Sequence, residues 1–330
     1  MEKARFKWVL RERNRKIAAK TEVFTEQQAR RVRSFHSSFK EYSPTPLIEL
    51  TSLAQHLGIK NLFVKDESYR FGLNAFKVLG GSFAIGSYIA NELGEDIDDL
   101  PYMRLVSDEV RSLLGSKTFI TTTDGNHGRG VAWTANRLKQ QAIVYMPQGS
   151  AAERLSNIRA EGAQAEITDM NYDDTVRYTS ELAQKNGWII VQDTAWDGYT
   201  RIPLWIMQGY MTMALEAYEQ LPVKPTHIFL QAGVGSLAGS VQGFFADIYG
   251  SSCPLTFIVE PKGADCLYQT AAANDGSLHS VTGRLETIMA GLACGEPNSI
   301  AWEILGNLSD GFISCPDYTA AQGMRILGNP

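Results

Sequence analysis

From about residue 60 onward, short apolar runs alternate with segments whose apolar residues recur at helical spacing. The runs fall at residues 61–64, 118–122, 142–146, 165–168, 188–191, 227–231, 255–260 and 312–314. Several, such as Ala142-Ile143-Val144-Tyr145-Met146, are continuously apolar rather than alternating. That is the pattern of parallel strands buried on both faces. Helical periodicity occupies residues 129–140, 152–161, 172–186, 237–249 and 264–273. The βαβα rhythm predicts an α/β protein with helices on both faces of its sheets.

The two ends read differently. Thr25, with Gln28 in the capping-box position, predicts a helix running on towards Tyr42, where Ser43-Pro44-Thr45-Pro46 breaks it. A last helix at 320–327 meets Gly328-Asn329-Pro330, loop signals after which another βα unit is expected. The chain has 330 residues, 44% of them hydrophobic, enough for two domains or lobes. Its 31 basic and 36 acidic residues leave a net charge of −5, so nothing electrostatic favours nucleic acid or an anionic membrane. No stretch is apolar enough to span a bilayer, and the basic first forty residues lack the apolar core of a signal peptide. Cys253, Cys266, Cys294 and Cys315 form no CxxC and have no histidine at metal-ligand spacing. The expectation is reduced thiols in a cytoplasmic protein without a metal; a Cys266–Cys294 bridge is conceivable but has no support in the sequence.

Three segments carry candidate chemistry. In the first, Lys65-Asp66-Glu67-Ser68 leaves a strand, and Asn74-Ala75-Phe76-Lys77 enters a helix rich in small apolar residues. A lysine opening a buried helix must be paired, deprotonated or covalently linked. An imine to a carbonyl cofactor meets that need, although the local sequence fits a surface lysine equally well. In the second, Thr123-Asp124-Gly125-Asn126-His127-Gly128 lies between a strand and a helix expected from Arg129. Such a loop offers backbone N–H groups to a carboxylate, and Asn126 could bond a phenolate oxygen; an ordinary βα loop with an Asp cap is the alternative. In the third, Gly233-Val234-Gly235-Ser236-Leu237-Ala238-Gly239 also joins a strand to a helix. It can cradle phosphate or be a plain tight turn, and it matches neither a Walker loop nor a dinucleotide fingerprint.

The lysine, the asparagine loop and the glycine loop, in that order, resemble fold-type II pyridoxal-phosphate (PLP) enzymes of the tryptophan-synthase-β family. The runs KDESYRFGLNAFK, TTTDGNHGRGVAW, TDMNYDDTVR, VQDTAWDGYT, WIMQGY, QAGVG and IMAGLACGEPN resemble the diaminopropionate ammonia-lyases within it, from about Tyr42 to the end. The resemblance implies two open, mostly parallel sheets flanked by helices. It implies a discontinuous large PLP-binding domain, residues 1–87 with 214–330, and a small domain, 88–213. It also implies a homodimer acting on a small amino acid.

Residue by residue, the resemblance implies that Lys77 carries PLP as a Schiff base and that Asn126 faces the cofactor. Thr123, Gly125, Asn126 and His127 would hold the substrate carboxylate, and Gly233, Val234, Gly235, Ser236, Leu237 and Gly239 the phosphate. The implied reaction is elimination of ammonia from D- and L-2,3-diaminopropionate, giving pyruvate and two ammonia. Asp124, where threonine dehydratases usually carry Ser, would take the proton from the D-isomer and Asp193 from the L-isomer. Asp193 follows the strand at 188–191, and a turn cap is its alternative role. For His127 a loop-fixing hydrogen bond is favoured over catalysis; Tyr172 is equally a pocket cover or a packing residue. Family members continue for several tens of residues past Pro330, a stretch that normally supplies a strand and the hydroxyl meeting the pyridine nitrogen. One alternative is therefore a PLP-binding protein with impaired activity; among enzymes, a serine/threonine dehydratase is the nearest competitor.

Overall fold

The computed structural model describes residues 5–12, 21–123 and 125–328. Its strands are β1 (Lys7–Leu10), β2 (Leu47–Glu49), β3 (Phe63–Lys65), β4 (Thr118–Thr122), β5 (Gln141–Met146), β6 (Gln164–Ile167), β7 (Ile189–Ile190), β8 (His227–Gln231), β9 (Leu255–Pro261) and β10 (Gly311–Cys315). The first seven helices are α1 (Glu26–Ser37), α2 (Thr51–Leu57), α3 (Lys77–Leu93), α4 (Tyr102–Leu105), α5 (Asp108–Leu114), α6 (Asn126–Arg137) and α7 (Ala152–Ala160). The remainder are α8 (Tyr172–Asn186), α9 (Arg201–Gln220), α10 (Ser236–Tyr249), α11 (Cys266–Ala273), α12 (Ser299–Leu308) and α13 (Asp317–Leu327).

Two four-stranded sheets organise the molecule. One has the order β6-β5-β4-β7, and every pairing in it is parallel. The other has the order β1-β10-β9-β8, parallel except for the edge strand β1. The expected α/β architecture with mostly parallel sheets is therefore present. The apolar run at 61–64 belongs to neither sheet: it becomes β3, which pairs antiparallel with β2 in a separate ribbon.

Other differences have local causes. α1 begins where expected, with Thr25 Oγ1 accepting from the Gln28 amide at 3.2 Å, but stops at Ser37. Ser38 Oγ donates to the Phe35 carbonyl at 2.7 Å and closes the last turn early. α6 starts at Asn126, three residues before the expected Arg129. α9 escaped the periodicity reading because residues 206–216 are buried without interruption, leaving no polar stripe.

Helices α3 and α9 form the centre. A Cβ on Gly209 would stand 2.3 Å from the Leu79 carbonyl oxygen, so the two helices meet backbone to backbone. His36 on α1 is fully buried and spans both, with Nδ1 2.7 Å from Thr212 Oγ1 on α9 and Nε2 3.0 Å from Ser82 Oγ on α3. The loop into α3 is clamped by Arg70, which has no solvent exposure. Its guanidinium bonds both Glu67 oxygens at 2.8 Å and the two Glu216 oxygens at 2.8 and 2.7 Å. Lys65 Nζ adds a contact to Glu216 at 2.8 Å. The ion cluster thus fixes to α9 the segment that delivers Lys77.

Candidate active site

Lys77 opens α3 after β3 and a short turn at Glu67–Gly72. It enters the site from the antiparallel ribbon rather than from the edge of a parallel sheet, where sequence reasoning had set it. Helix α6, which follows the asparagine loop, lies directly on this turn. A Cβ on Gly130 would be 2.8 Å from Val78 Cα and 3.3 Å from the Lys77 carbonyl carbon. Only glycine permits that approach.

Lys77 Nζ donates to Asp193 Oδ2 at 2.7 Å. The Asp193 residue is only 5% exposed. Burial by itself would raise this carboxyl, but the Lys77 ammonium, the charge of His127 and the Lys77 hydrogen bond outweigh it and hold the group at about 2. Asp193 is therefore an ionised acceptor at neutral pH. It lies just past β7, and its neighbour Gln192 extends the sheet with its side chain: Oε1 accepts from the Thr122 amide at 3.0 Å and Nε2 donates to the Thr122 carbonyl at 3.1 Å. Nε2 also donates to Tyr172 Oη at 2.8 Å.

The asparagine loop is tied to the same place. His127, 1% exposed, donates from Nε2 to the Val191 carbonyl at 2.7 Å; a carbonyl only accepts, so Nε2 carries the proton. Thr123 is buried and accepts on Oγ1 from the Gly125 amide at 2.9 Å, while Asn126 is exposed at the start of α6. Asp124 lies outside the described residues.

The glycine loop closes the other side. Gly235 takes a φ of +100° as it enters α10, a conformation L side chains rarely adopt. The N-terminus of α10 has no side-chain cap, so its amides keep their capacity for an anion. Ser236 Oγ donates to the Asp193 carbonyl at 2.5 Å and accepts from Asn298 Nδ2 at 2.8 Å. The Asn298 amide in turn donates to the Val234 carbonyl at 2.8 Å. Asn298 is a supporting residue that sequence reasoning did not single out, although it ends the quoted run IMAGLACGEPN. Gly239 sits inside α10, where a Cβ would be 3.0 Å from Ala301 Cα on α12; helix packing accounts for that glycine.

A cavity of about 230 Å³ is lined by Tyr172, Val176, Arg177, Ser180, Thr194, Trp196, Val234, Cys294, Gly295 and Glu296. It joins the loop after Asp193 to the glycine loop. Lys77, Asp193 and Asn126 are not among its walls; Asp193, which Lys77 bonds, precedes the wall residue Thr194 in the chain. All four cysteines are thiols, and no group of three or more His, Cys, Asp or Glu suited to a metal occurs among the described residues.

These donors fit pyridoxal phosphate. A primary amine is present for its carbonyl carbon, an uncapped helix N-terminus with a left-handed glycine for its phosphate, and a buried carboxylate beside the amine for proton chemistry.

Comparison with known proteins agrees with this geometry. The family described as pyridoxal-phosphate dependent enzyme matches residues 39–329. The diaminopropionate ammonia-lyase of Escherichia coli strain K12 is 53% identical over 312 residues, covering 93% of this chain and 77% of that protein. Its Salmonella typhimurium counterpart is 53% identical over 303 residues, or 91% of this chain and 75% of that protein. The crystal structure of the holo Escherichia coli enzyme superimposes with a TM-score of 0.91 at 50% identity, over 99% of this chain and 81% of that one. Maize serine racemase shares the fold, with a TM-score of 0.73 at 21% identity over 92% of this chain and 80% of that one. The chain therefore belongs to the pyridoxal-phosphate dependent enzymes of fold type II.

Proposed function

We propose that this protein is a PLP-dependent lyase that eliminates ammonia from 2,3-diaminopropionate, accepts both the D- and L-isomers, and yields pyruvate and two ammonia. The observation that carries the reading is the 2.7 Å contact between Lys77 Nζ and the buried Asp193 carboxylate, in a chain 53% identical to the Escherichia coli diaminopropionate ammonia-lyase. Bound PLP supplies an electron sink for the pair left behind when the Cα proton departs.

The chain's own groups do the rest. Lys77 would hold the cofactor through Nζ, with Asn126 facing it. The backbone of Gly233, Val234, Gly235, Ser236 and Leu237 would take the phosphate, and Gly239 would serve by letting α12 approach α10. Thr123, Gly125, Asn126 and His127 would take the substrate carboxylate, in a loop held rigid by the His127–Val191 bond. Asp193 would accept the Cα proton of the L-isomer and Asp124 that of the D-isomer. The β-amino group leaves only once protonated, because a free amide anion is too poor a leaving group. The enamine product then hydrolyses to pyruvate and the second ammonia.

In this reading residues 1–87 and 214–330 form the large domain and 88–213 the small one, and the enzyme is a cytoplasmic homodimer. The test is pyruvate formation by the purified, PLP-supplemented chain, assayed separately with D- and L-2,3-diaminopropionate, D-serine and L-threonine. Turnover of both diaminopropionate isomers ahead of the hydroxy amino acids is expected. Preference for L-threonine would make it a dehydratase. PLP uptake without turnover would make it a cofactor-binding protein.

A further inference from the structure

Tyr210 has no part in the chemistry above, yet it stands beside it. It is 1% exposed, and its hydroxyl has no hydrogen-bond partner among the described residues. Its ring lies across the first turn of α3: a Cβ on Gly80 would be 2.7 Å from Tyr210 Cε1 and 2.9 Å from Cζ, and the Phe76 ring meets it edge-on with centroids 5.1 Å apart. Phe76 and Gly80 bracket Lys77 in sequence. A buried hydroxyl without a partner is costly, and in a native protein such a group calls for a physical explanation, a role in the chemistry beside it among them.

Among the described residues, the charged and titratable groups that act on one another around Asp193 are Lys77 on α3, His127 on α6, Tyr199 after β7 and Tyr210 on α9. The ring rests on the turn that carries Lys77, and Lys77 bonds Asp193, so the Tyr210 hydroxyl belongs to the surroundings of the pair; consistently, burial and then the Asp193 charge disfavour its ionisation while the Lys77 charge favours it. Three of the four are committed. Lys77 donates to Asp193, and His127 donates to Val191. Tyr199 Oη accepts from the Gln192 amide at 2.8 Å and donates to the Ile190 carbonyl at 3.0 Å. With Nζ bonded to the cofactor, Lys77 would keep at most one N–H in place of the ammonium's three, so its bond to Asp193 would be weakened or given up. A buried carboxylate then needs another donor.

We propose that Tyr210 is a positioning residue whose O–H becomes that donor, keeping Asp193 ionised and oriented while Lys77 is engaged by the cofactor. This rests on the reading of Lys77 as the cofactor lysine.

The test is Tyr210→Phe, which keeps the ring and its packing. In cofactor-free protein the variant loses only an unpartnered hydroxyl, so its Tm should rise by about 2 °C; in PLP-loaded protein it loses the bond to Asp193, so its Tm should fall by about as much. In an Asp193→Asn background the fall on loading should vanish. The acid limb of kcat/KM for L-2,3-diaminopropionate should move up by roughly half to one pH unit, because an unbonded Asp193 is more easily protonated. The limb for the D-isomer should stay in place. Tm shifts of one sign in both forms, or a reversal that survives Asp193→Asn, would overturn the inference. Wild-type protein that takes up no PLP would refute the underlying Lys77 reading and the inference with it, whereas same-sign shifts in protein that does load would refute the inference alone.

Discussion

His36 makes stability begin to fall in mild acid, before ordinary carboxylates titrate. Its imidazole is fully buried between α1, α3 and α9. Burial first, and then the neighbouring Arg70 cation, lower it from 6.5 to about 3, against weaker opposition from the Leu79 carbonyl and Glu216. Between those values the unfolded chain binds a proton that the folded chain refuses, so folding is disfavoured as pH falls. The contribution is complete above about pH 6.5 and is lost progressively down to about pH 3. Each pH unit within that window costs about 1.4 kcal/mol, so lowering the pH from 7 to 5 should remove about 2 kcal/mol. The measurement is urea unfolding of the wild type and His36→Gln at pH 7, 6 and 5. The variant should be weaker at pH 7 but should lack this decrement. Comparing the two decrements cancels other titrating groups, such as the buried Glu260, which burial raises well above the usual carboxylate range. Equal decrements in both proteins would refute the reasoning.

Glu216→Gln leaves buried Arg70 with Glu67 as its remaining carboxylate and half-buried Lys65 without its ion-pair partner, and should cost roughly 3–5 kcal/mol in urea unfolding; Arg70→Met in the same background should recover part of it. A loss below about 1 kcal/mol would remove the ion cluster as the anchor of the Lys77 loop. Asp124→Asn should lower kcat/KM for D-2,3-diaminopropionate by about 100-fold or more and affect the L-isomer far less, and Asp193→Asn should do the reverse. Equal losses for both isomers would eliminate the assignment of two separate bases.

The parallel strands were legible because they are continuous apolar runs, and the glycine loop because a strand leads into it and a helix out. β1 was not, since Lys7-Trp8-Val9-Leu10 is a short, mostly exposed edge strand whose pairing with β10 is more than 300 residues distant in sequence. α9 was hidden by its uniform burial, which removes the amphipathic signal. Within the site, Lys77 and Asp193 were each ambiguous locally; their contact spans 116 positions and exists only in the fold. Asn298, Gln192 and Tyr210 lie within runs that carry the resemblance but were not singled out, because their significance lies in which buried groups they do or do not bond. Gly239, grouped with the phosphate loop in the sequence, also has a packing reason that only the fold shows, the close approach of α12 to α10.

Lys77 remains the residue on which the function depends, and its test is spectroscopic. The purified chain, reconstituted with PLP and freed of excess, should show a visible band at roughly 410–420 nm from the lysine-bound cofactor, and Lys77→Ala should bind PLP without that band. A wild-type protein with no such band, or a Lys77→Ala variant that retains it, would contradict the assignment of Lys77 as the cofactor lysine.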